Sequence, residues 1–194
     1  MTVETDVNRA EIPKLGPRFD DALKFASDAH RHQLRKGVDV PYLAHLMSVS
    51  ALVLESGGDE ELAIAALLHD AAEDQGGRHM LDRIRRQFGA RVADVVEGCS
   101  DTLEFPKPAW LVRKQAYIDH IRNSADLGTC LVSAADKLHN SRSILEDHYL
   151  FEDAVFARFK KSKEHTMWYY RALLEAFRIA DARLAGSDPL LTGF

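Results

Sequence analysis

The sequence predicts an all-α fold, a compact bundle of seven or eight helices in one domain. Apolar residues recur at three- and four-residue spacing, as in Ala22, Leu23, Phe25, Ala26 and Ala29, and this period places them on one face of a helix. No segment sustains the apolar–polar alternation of a half-buried strand, and no Asn-Gly or Asp-Gly pair marks a hairpin. The 194 residues are 46% hydrophobic and 28% charged, which is typical of a globular chain.

Turn-forming residues separate the predicted helices in the first half of the chain. Gly57-Gly58 ends the second helix, and Asp59 is a suitable N-cap for the third. Gly89 separates the fourth helix from the fifth. A loop with a basic start, 35–41, lies between the first and second. The predicted helices are one from Phe19, then 42–55, 59–75, 80–88 and 90–99.

Two prolines mark a loop at 101–108 in the second half, and Pro108 is well placed to open the next helix. The helices predicted after this loop are 109–122, 127–145 and 153–184. These boundaries predict a flexible N-terminal arm at 1–17, one domain at 18–186 and a C-terminal tail at 187–194.

Composition and charge exclude several classes of protein. The formal net charge is −5, whereas a generic nucleic-acid binder is usually basic. The two cysteines, Cys99 and Cys130, form no CxxC motif and supply neither a disulfide framework nor a cysteine-based zinc site. The start of the chain lacks the apolar core of a signal peptide, and the apolar run Leu62–Leu68 is too short to cross a bilayer. We expect a cytoplasmic protein with no DNA, RNA or membrane partner; the sequence does not indicate an oligomeric state.

The first candidate site lies in the segment LAIAALLHDAAED. His69 and Asp70 follow seven apolar residues, and a buried carboxylate is costly unless it is paired or bound to a cation. Glu73 and Asp74 lie four residues further on, so a continuous helix would place all four side chains on one strip. Such a strip favours a metal or a cationic environment. The alternative is a solvent-exposed helix end before Gly76, which accounts for Glu73 and Asp74 better than for Asp70.

Two more places carry candidate ligands. His45 lies near the start of an apolar helix in PYLAH, and Asp136 lies inside the apolar helix LVSAADKLHN, with Asn140 on the same face. Taken alone, His45 reads as a half-buried histidine with a hydrogen-bond partner. Taken alone, Asp136 reads as the partner of Lys137 or of an arginine.

Taken together, three segments resemble the HD-domain metal phosphohydrolases, and within them the hydrolase half of the RelA/SpoT-type alarmone enzymes. The segments are AHRHQLRKGVDVPYLAH (29–45), AALLHDAAED (65–74) and ADKLHN (135–140). An HD pair alone is a weak signal, whereas these motifs in this order are specific. The resemblance covers roughly 19–145 and implies a stand-alone small alarmone hydrolase with an HD-type domain.

The resemblance implies a role for each matching residue. The metal ligands are His45, His69, Asp70 and Asp136, and the catalytic acid pair is Glu73 and Asp74. Arg35 and Lys36 match the basic pair at the nucleotide base, and Asn140 matches the asparagine that holds the nucleoside. The sequence departs from the family pattern at His32, where Gly is usual, at Leu46, where Pro is usual, and at Gln75, where Thr is usual.

The implied reaction removes the 3′-diphosphate of guanosine polyphosphates, (p)ppGpp, and releases GDP or GTP and pyrophosphate. Two imidazoles and two carboxylates suit one divalent ion, and Mn²⁺ is favoured over Zn²⁺ or Fe²⁺. The bound ion would activate water and polarise a phosphoryl oxygen. Glu73, with Asp74, would take the proton of the attacking water.

A polyphosphate substrate needs local cations on an acidic protein. Besides Arg35 and Lys36, the substrate-binding candidates are Lys107, Arg113, Lys114 and Arg142, with Lys137 beside the metal ligands. Basic residues at 107, 113 and 114 also suit a plain surface loop and an exposed helix face.

Other functions remain open from the sequence. The same site could act on adenosine analogues such as (p)ppApp, or remove the 2′-phosphate of NADPH. A non-catalytic nucleotide-binding regulatory module is a further alternative, although such a module would be expected to have lost a ligand or an acid. A purely structural metal would leave Glu73 and Asp74 without a role.

Overall fold

The computed structural model describes residues 15–159 and 161–187, and in this part of the chain the prediction of an all-α fold is confirmed. The α-helices are Pro17–Ala29 (α1), Leu43–Glu55 (α2), Glu60–Leu68 (α3), Ala71–Gln75 (α4), Gly77–Phe88 (α5), Ala90–Cys99 (α6), Trp110–Asn123 (α7), Leu127–Phe151 (α8) and Lys163–Ser187 (α9), and a 3₁₀ helix covers Glu152–Arg158. Eight of these α-helices have nine residues or more. Among the described residues no strand forms, and one isolated bridge joins Leu34 to Pro41.

The larger core surrounds α3. All residues from Leu62 to Leu68 are buried because α1, α2, α6 and α8 pack around this helix. The all-round apolar sequence of this segment explains the burial, since a helix that is hydrophobic on every face belongs inside a protein. The amino end of α8 approaches α3 closely at Gly128, where a Cβ would lie 2.7 Å from Cδ2 of Leu62. This core therefore fixes the end of α3, where His69 and Asp70 lie.

A second core joins α7 and α9. Its buried members include Tyr117, Ile118, Ile121 and Leu173. Polar residues between the two cores line a cleft, which runs along α4, the middle of α8 and the starts of α7 and α9. None of the helices in the described ranges is long and apolar enough to span a membrane.

The predicted third helix, 59–75, is wrong as one continuous element. The structure ends α3 at Leu68 and begins α4 at Ala71. His69 and Asp70 keep right-handed backbone angles, with φ of −57° and −95°. Their side chains make contacts that interrupt the regular helix, because Nδ1 of His69 binds the carbonyl oxygen of Ala66 and Asp70 is held by Tyr42.

The predicted boundaries around 145–163 are also wrong. Helix α8 extends to Phe151 instead of ending at Leu145, and α9 begins at Lys163 instead of Asp153. Glu152 has a φ of +50°, a left-handed conformation that ends the helix. Helix α5 begins at Gly77, three residues before its predicted start. Of the predicted arm, 1–14 lies outside the described residues, as does 188–194 of the predicted tail, so the domain boundaries stay a prediction.

Candidate metal centre and cleft

Three separate elements bring four predicted ligands together. His45 lies in the first turn of α2, His69 and Asp70 join α3 to α4, and Asp136 lies in the middle of α8. Nε2 of His45 is 3.2 Å from Oδ1 of Asp136 and 3.7 Å from Oδ2 of Asp70. Nε2 of His69 is 3.0 Å from Oδ2 of Asp70 and 3.7 Å from Oδ1 of Asp136. The structure thus gathers the residues that the sequence separates by 91 positions, from 45 to 136.

The two imidazoles fit a metal ion. Both Nε2 atoms are buried, and neither makes a hydrogen bond within the described residues. Their Nδ1 atoms are occupied instead, because His69 Nδ1 lies 2.8 Å from the carbonyl oxygen of Ala66 and His45 Nδ1 lies 2.8 Å from Nδ1 of His139. A metal-ligating histidine usually donates its other ring N–H in this way. Buried nitrogens facing two carboxylates form a donor set that suits a divalent cation.

The electrostatics of the four groups also favour a cation. Burial alone would raise the pKa of Asp136, but Lys137 and the two imidazoles hold it well below the usual range. Burial would also raise the pKa of Asp70, but His69 and His45 lower it below the usual value. Burial lowers the pKa of His45, whereas the two carboxylates raise the pKa of His69 against the effect of burial. Both carboxylates are therefore ionised at neutral pH, and the site attracts positive charge.

Neighbouring side chains fix the two carboxylates. The hydroxyl of Tyr42 donates to Oδ2 of Asp70 at 2.5 Å. On Asp136, Oδ1 accepts from Nδ2 of Asn140 at 2.5 Å and Oδ2 pairs with Lys137 at 2.5 Å. Bonds of this kind orient metal ligands and tune their basicity.

Glu73, the first of the predicted catalytic acids, is half-buried and anchored on both oxygens. Oε1 lies 3.0 Å from Nζ of Lys107, and Oε2 accepts from the backbone N–H of Asp101 at 3.2 Å. Burial and the nearby charge of Asp101 raise the pKa of Glu73, although Lys107 opposes the shift. Each oxygen keeps a lone pair, so Glu73 can accept a proton.

Asp74, the second acid, is more exposed and is held by a side chain from the loop after α1. Its Oδ2 accepts from Nε2 of Gln33 at 2.8 Å. The carbonyl oxygen of the same Gln33 side chain contacts Nδ1 of His30 at 2.8 Å and Nε2 of Gln75 at 2.5 Å. Gln33 therefore connects the end of α1 with α4.

The cleft has a volume of about 940 Å³ and contains most of the predicted substrate-binding residues. Those in its lining are Arg35, Lys36, Lys107, Arg113, Lys114 and Asn140. Arg35 also donates to Oδ1 of Asn140 at 2.7 Å and stacks on the ring of Tyr42. Arg142 is not part of the lining and lies exposed on α8, so the structure does not bring it to the site.

The sequence reasoning missed two polar residues of the cleft. Asp101 was assigned only to a loop, yet its carboxylate pairs with Arg113 at 2.5 Å and with Lys114 at 2.6 Å. Gln33 was quoted in a motif without a role. Only the motif that contains Gln33 could have indicated its role in the cleft. No local sequence pattern connects Asp101 with Arg113, twelve positions away.

Comparison with known proteins identifies a domain family and several relatives. Residues 22–161 match the family model described as the HD domain. A guanosine-3′,5′-bis(diphosphate) 3′-pyrophosphohydrolase of Haemophilus influenzae is 32% identical over 124 residues, and the bifunctional (p)ppGpp synthase/hydrolase SpoT of Escherichia coli is 33% identical over 134 residues. These alignments cover 61% and 66% of this chain but 17% and 18% of the relatives. The chain thus spans about a sixth of the length of these curated relatives.

Two solved structures share the fold. One is described as a metazoan ortholog of SpoT that hydrolyzes ppGpp; it has a TM-score of 0.71 at 23% identity, with 89% of this chain and 94% of that chain covered. The other is the crystal structure of lmo0812 from Listeria monocytogenes, with a TM-score of 0.59 at 30% identity, and 71% and 81% covered.

Proposed function

This chain belongs to the HD-domain family, and from that premise we propose that it is a metal-dependent phosphohydrolase acting on (p)ppGpp. The reaction is hydrolysis of the 3′-diphosphate, with GDP or GTP and pyrophosphate as products. One observation carries the proposal: two buried imidazole nitrogens without hydrogen-bond partners among the described residues face two ionised carboxylates beside a cleft rich in cations. The names of the relatives support the choice of substrate.

His45, His69, Asp70 and Asp136 would hold the ion. A divalent cation in this site supplies positive charge that stabilises the phosphoryl oxygens as the bond to phosphorus breaks. Mn²⁺ is the proposed ion, because two imidazoles with two carboxylates suit a hard or borderline divalent metal and the resemblance to the alarmone hydrolases favours Mn²⁺. Zn²⁺ and Fe²⁺ bind the same donor types and are the alternatives that a metal panel compares.

Glu73 is the proposed general base. The water oxygen bonds to the phosphorus attached to O3′, the P–O3′ bond breaks, and pyrophosphate leaves while O3′ takes up a proton. Glu73 accepts the proton that the water gives up, and its contacts with Lys107 and the N–H of Asp101 hold the carboxylate in one orientation. Asp74, which Gln33 holds at the same cleft, is proposed to orient the water.

Two groups of cleft residues are proposed to bind different parts of the nucleotide. Arg35 and Lys36 lie in the loop after α1 and would contact the base, with Asn140 at the nucleoside. Lys107, Arg113 and Lys114 would bind phosphates. All six line the cleft. Arg142, which lies outside the lining, is not included.

An assay of product release tests the proposal. The purified chain, stripped of metal, is incubated with guanosine 3′,5′-bis(diphosphate), with its adenosine analogue and with NADPH, each with Mn²⁺, Zn²⁺, Fe²⁺ or EDTA. We expect pyrophosphate and GDP from the guanosine substrate with Mn²⁺, and no product with EDTA. Faster turnover of the adenosine analogue or of NADPH would reassign the substrate, and nucleotide binding without any turnover would contradict the assignment as an enzyme.

A further inference from the structure

Asp101 lies where the acid that would activate water meets the cations that would bind phosphate. It begins the loop between α6 and α7, and its side chain is 4% exposed. Its carboxylate accepts from NH1 of Arg113 on both oxygens, at 2.6 and 2.5 Å, and pairs with Nζ of Lys114 at 2.6 Å. Its backbone N–H donates to Oε2 of Glu73 at 3.2 Å. One residue thus touches both halves of the proposed machinery.

The charges in this cluster leave one positive charge in excess. Glu73 and Asp101 carry the two negative charges, and Lys107, Arg113 and Lys114 carry the three positive ones. In the described part of the chain, Glu73 forms an ion pair with Lys107 alone, while Asp101 holds Arg113 and Lys114 from the first two turns of α7. Without the Asp101 carboxylate, the excess would be two positive charges, and Glu73 would be the nearby carboxylate left to pair with them.

We infer that Asp101 is a positioning residue that holds Arg113 and Lys114 at the cleft wall and away from Glu73. Its side chain directs the two cations, and its own backbone N–H orients the base. Glu73 then keeps a carboxylate oxygen available for the proton of water while the cations face the substrate phosphates. This inference rests on the proposed hydrolysis of a nucleotide diphosphate.

A purely structural reading treats the same ion pairs as a link between the 101–108 loop and α7. That reading predicts lower thermal stability when the carboxylate is removed, with kinetic constants unchanged in the protein that remains folded. The positioning role predicts an effect on kcat. The two readings therefore differ in a quantity that a stability measurement does not report.

The test is Asp101→Asn, assayed with Mn²⁺ and guanosine 3′,5′-bis(diphosphate). The amide keeps the size of the side chain and the backbone N–H, but it removes the charge and places an NH₂ donor among cationic donors. We expect kcat to fall at least tenfold, because the freed cations pair with Glu73. KM should change little, because the cations stay in the cleft and Glu73 replaces Asp101 as the carboxylate that pairs with them. Mn²⁺ binding should equal that of the wild type.

Asp153→Asn is the matched control. Asp153 also accepts from two basic side chains, His148 at 3.2 Å and Lys163 at 2.6 Å, but it lies outside the cleft lining. The same substitution there should leave kcat and KM unchanged. A tenfold loss of kcat in this control would show that removal of any such ion pair disturbs turnover, and would overturn the inference.

A second variant separates charge from folding. Asp101→Asn combined with Lys114→Gln restores the single excess positive charge, so kcat should recover at least threefold over Asp101→Asn while KM rises through loss of a phosphate-binding cation. A wild-type kcat in Asp101→Asn, or no recovery in the double variant, would overturn the inference while the wild type still turns over. A wild type that releases no pyrophosphate would contradict the proposed function, and the inference would fall with it.

Discussion

Single residues at the proposed metal centre are held by partners that leave their reactive atoms available. His69 uses Nδ1 on the backbone of Ala66, and His45 uses Nδ1 on His139, so both Nε2 atoms point to the carboxylates. For Nε2 of His45 to bind an ion, its Nδ1 must carry the proton, and His139 must accept it. Burial and the neighbouring His45 lower the pKa of His139 to about 4, which keeps His139 neutral and able to accept.

Replacement of the proposed base separates catalysis from binding. Glu73→Gln keeps the size of the side chain and removes the oxygen that accepts the proton. General-base assistance is typically worth about 10²–10⁴-fold in rate, so we expect kcat to fall by that factor while Mn²⁺ content and nucleotide affinity stay near wild type. Steady-state kinetics with metal analysis of the same preparation checks this.

Glu104→Gln is the control for that variant, because Glu104 is an exposed acid in the nearby 101–108 loop and lies outside the cleft lining. It should turn over like the wild type. Wild-type kcat in Glu73→Gln would rule out Glu73 as the base and leave the role to Asp74 or to a hydroxide that the ion itself would supply.

The sequence predicted which residues lie in the candidate site wherever a motif contained them. The motifs predicted His45, His69, Asp70 and Asp136 as one group, and the structure brings them together, although their role as ligands stays a prediction. Asp101 was missed because its partners lie on another helix, and side-chain pairing over twelve residues and a proline-containing loop leaves no periodic signal. Arg142 is a candidate because a polyphosphate substrate needs local cations, but it lies exposed on α8 and outside the cleft lining.

At the scale of elements, the buried helix α3 supports the site. Its seven consecutive buried residues leave no polar face, and the helix ends where His69 and Asp70 approach the other predicted metal ligands. Apolar periodicity predicted the helix itself. It could not predict the break after Leu68, because the contacts that end the helix, Tyr42 to Asp70 and His69 to Ala66, belong to the folded site.

A cavity in α3 should destabilise the whole domain. Leu67 is 1% exposed, and truncation of a buried leucine to alanine costs about 2–5 kcal/mol. For a chain of this size each kcal/mol lowers Tm by about 2–4 °C, so we expect Leu67→Ala to lower Tm by roughly 5–15 °C in thermal unfolding. Leu174→Ala on α9 is the control, since that leucine is 54% exposed, and it should change Tm little. Equal Tm values for the two variants would contradict the central position of α3.

At the scale of the whole molecule, the cleft lies between two cores that pack separately. The larger core supports the proposed metal ligands on α2 and at the junction of α3 and α4, and the core of α7 and α9 supports the wall with Arg113 and Lys114. Helix α8 runs along both and contributes Asp136 and Asn140. The sequence predicted the helices of both cores, but not their division, because periodicity shows which face of a helix is apolar and not which helix covers it.

The metal-free protein should lose stability as the pH falls from about 6.5 to about 4. His139 and His45 have lowered pKa values in the folded protein, whereas the histidine pKa in the unfolded chain is about 6.5. The unfolded chain therefore binds more protons as the pH falls, and the free energy of unfolding decreases. His69 has a raised pKa in the folded protein. Its stabilising contribution to the free energy of unfolding is fully present below about pH 6.5, so it does not change in this pH window.

Urea unfolding in EDTA at several pH values checks this expectation. His139→Asn should flatten part of the slope, because the amide does not titrate. A free energy of unfolding that rises between pH 6.5 and 4 would contradict the assignment of neutral imidazoles to His45 and His139.

One divalent ion, held by His45, His69, Asp70 and Asp136, is proposed to make this chain a hydrolase. The most direct test is a titration of the metal-free protein with Mn²⁺ during turnover of guanosine 3′,5′-bis(diphosphate), with pyrophosphate release and bound metal measured on the same samples. We predict that the rate rises in proportion to bound Mn²⁺ and levels off at one ion per chain, and that Asp136→Asn neither binds the ion tightly nor responds to it. Full turnover in the metal-free protein, or no turnover with one Mn²⁺ bound per chain, would contradict this role of the ion.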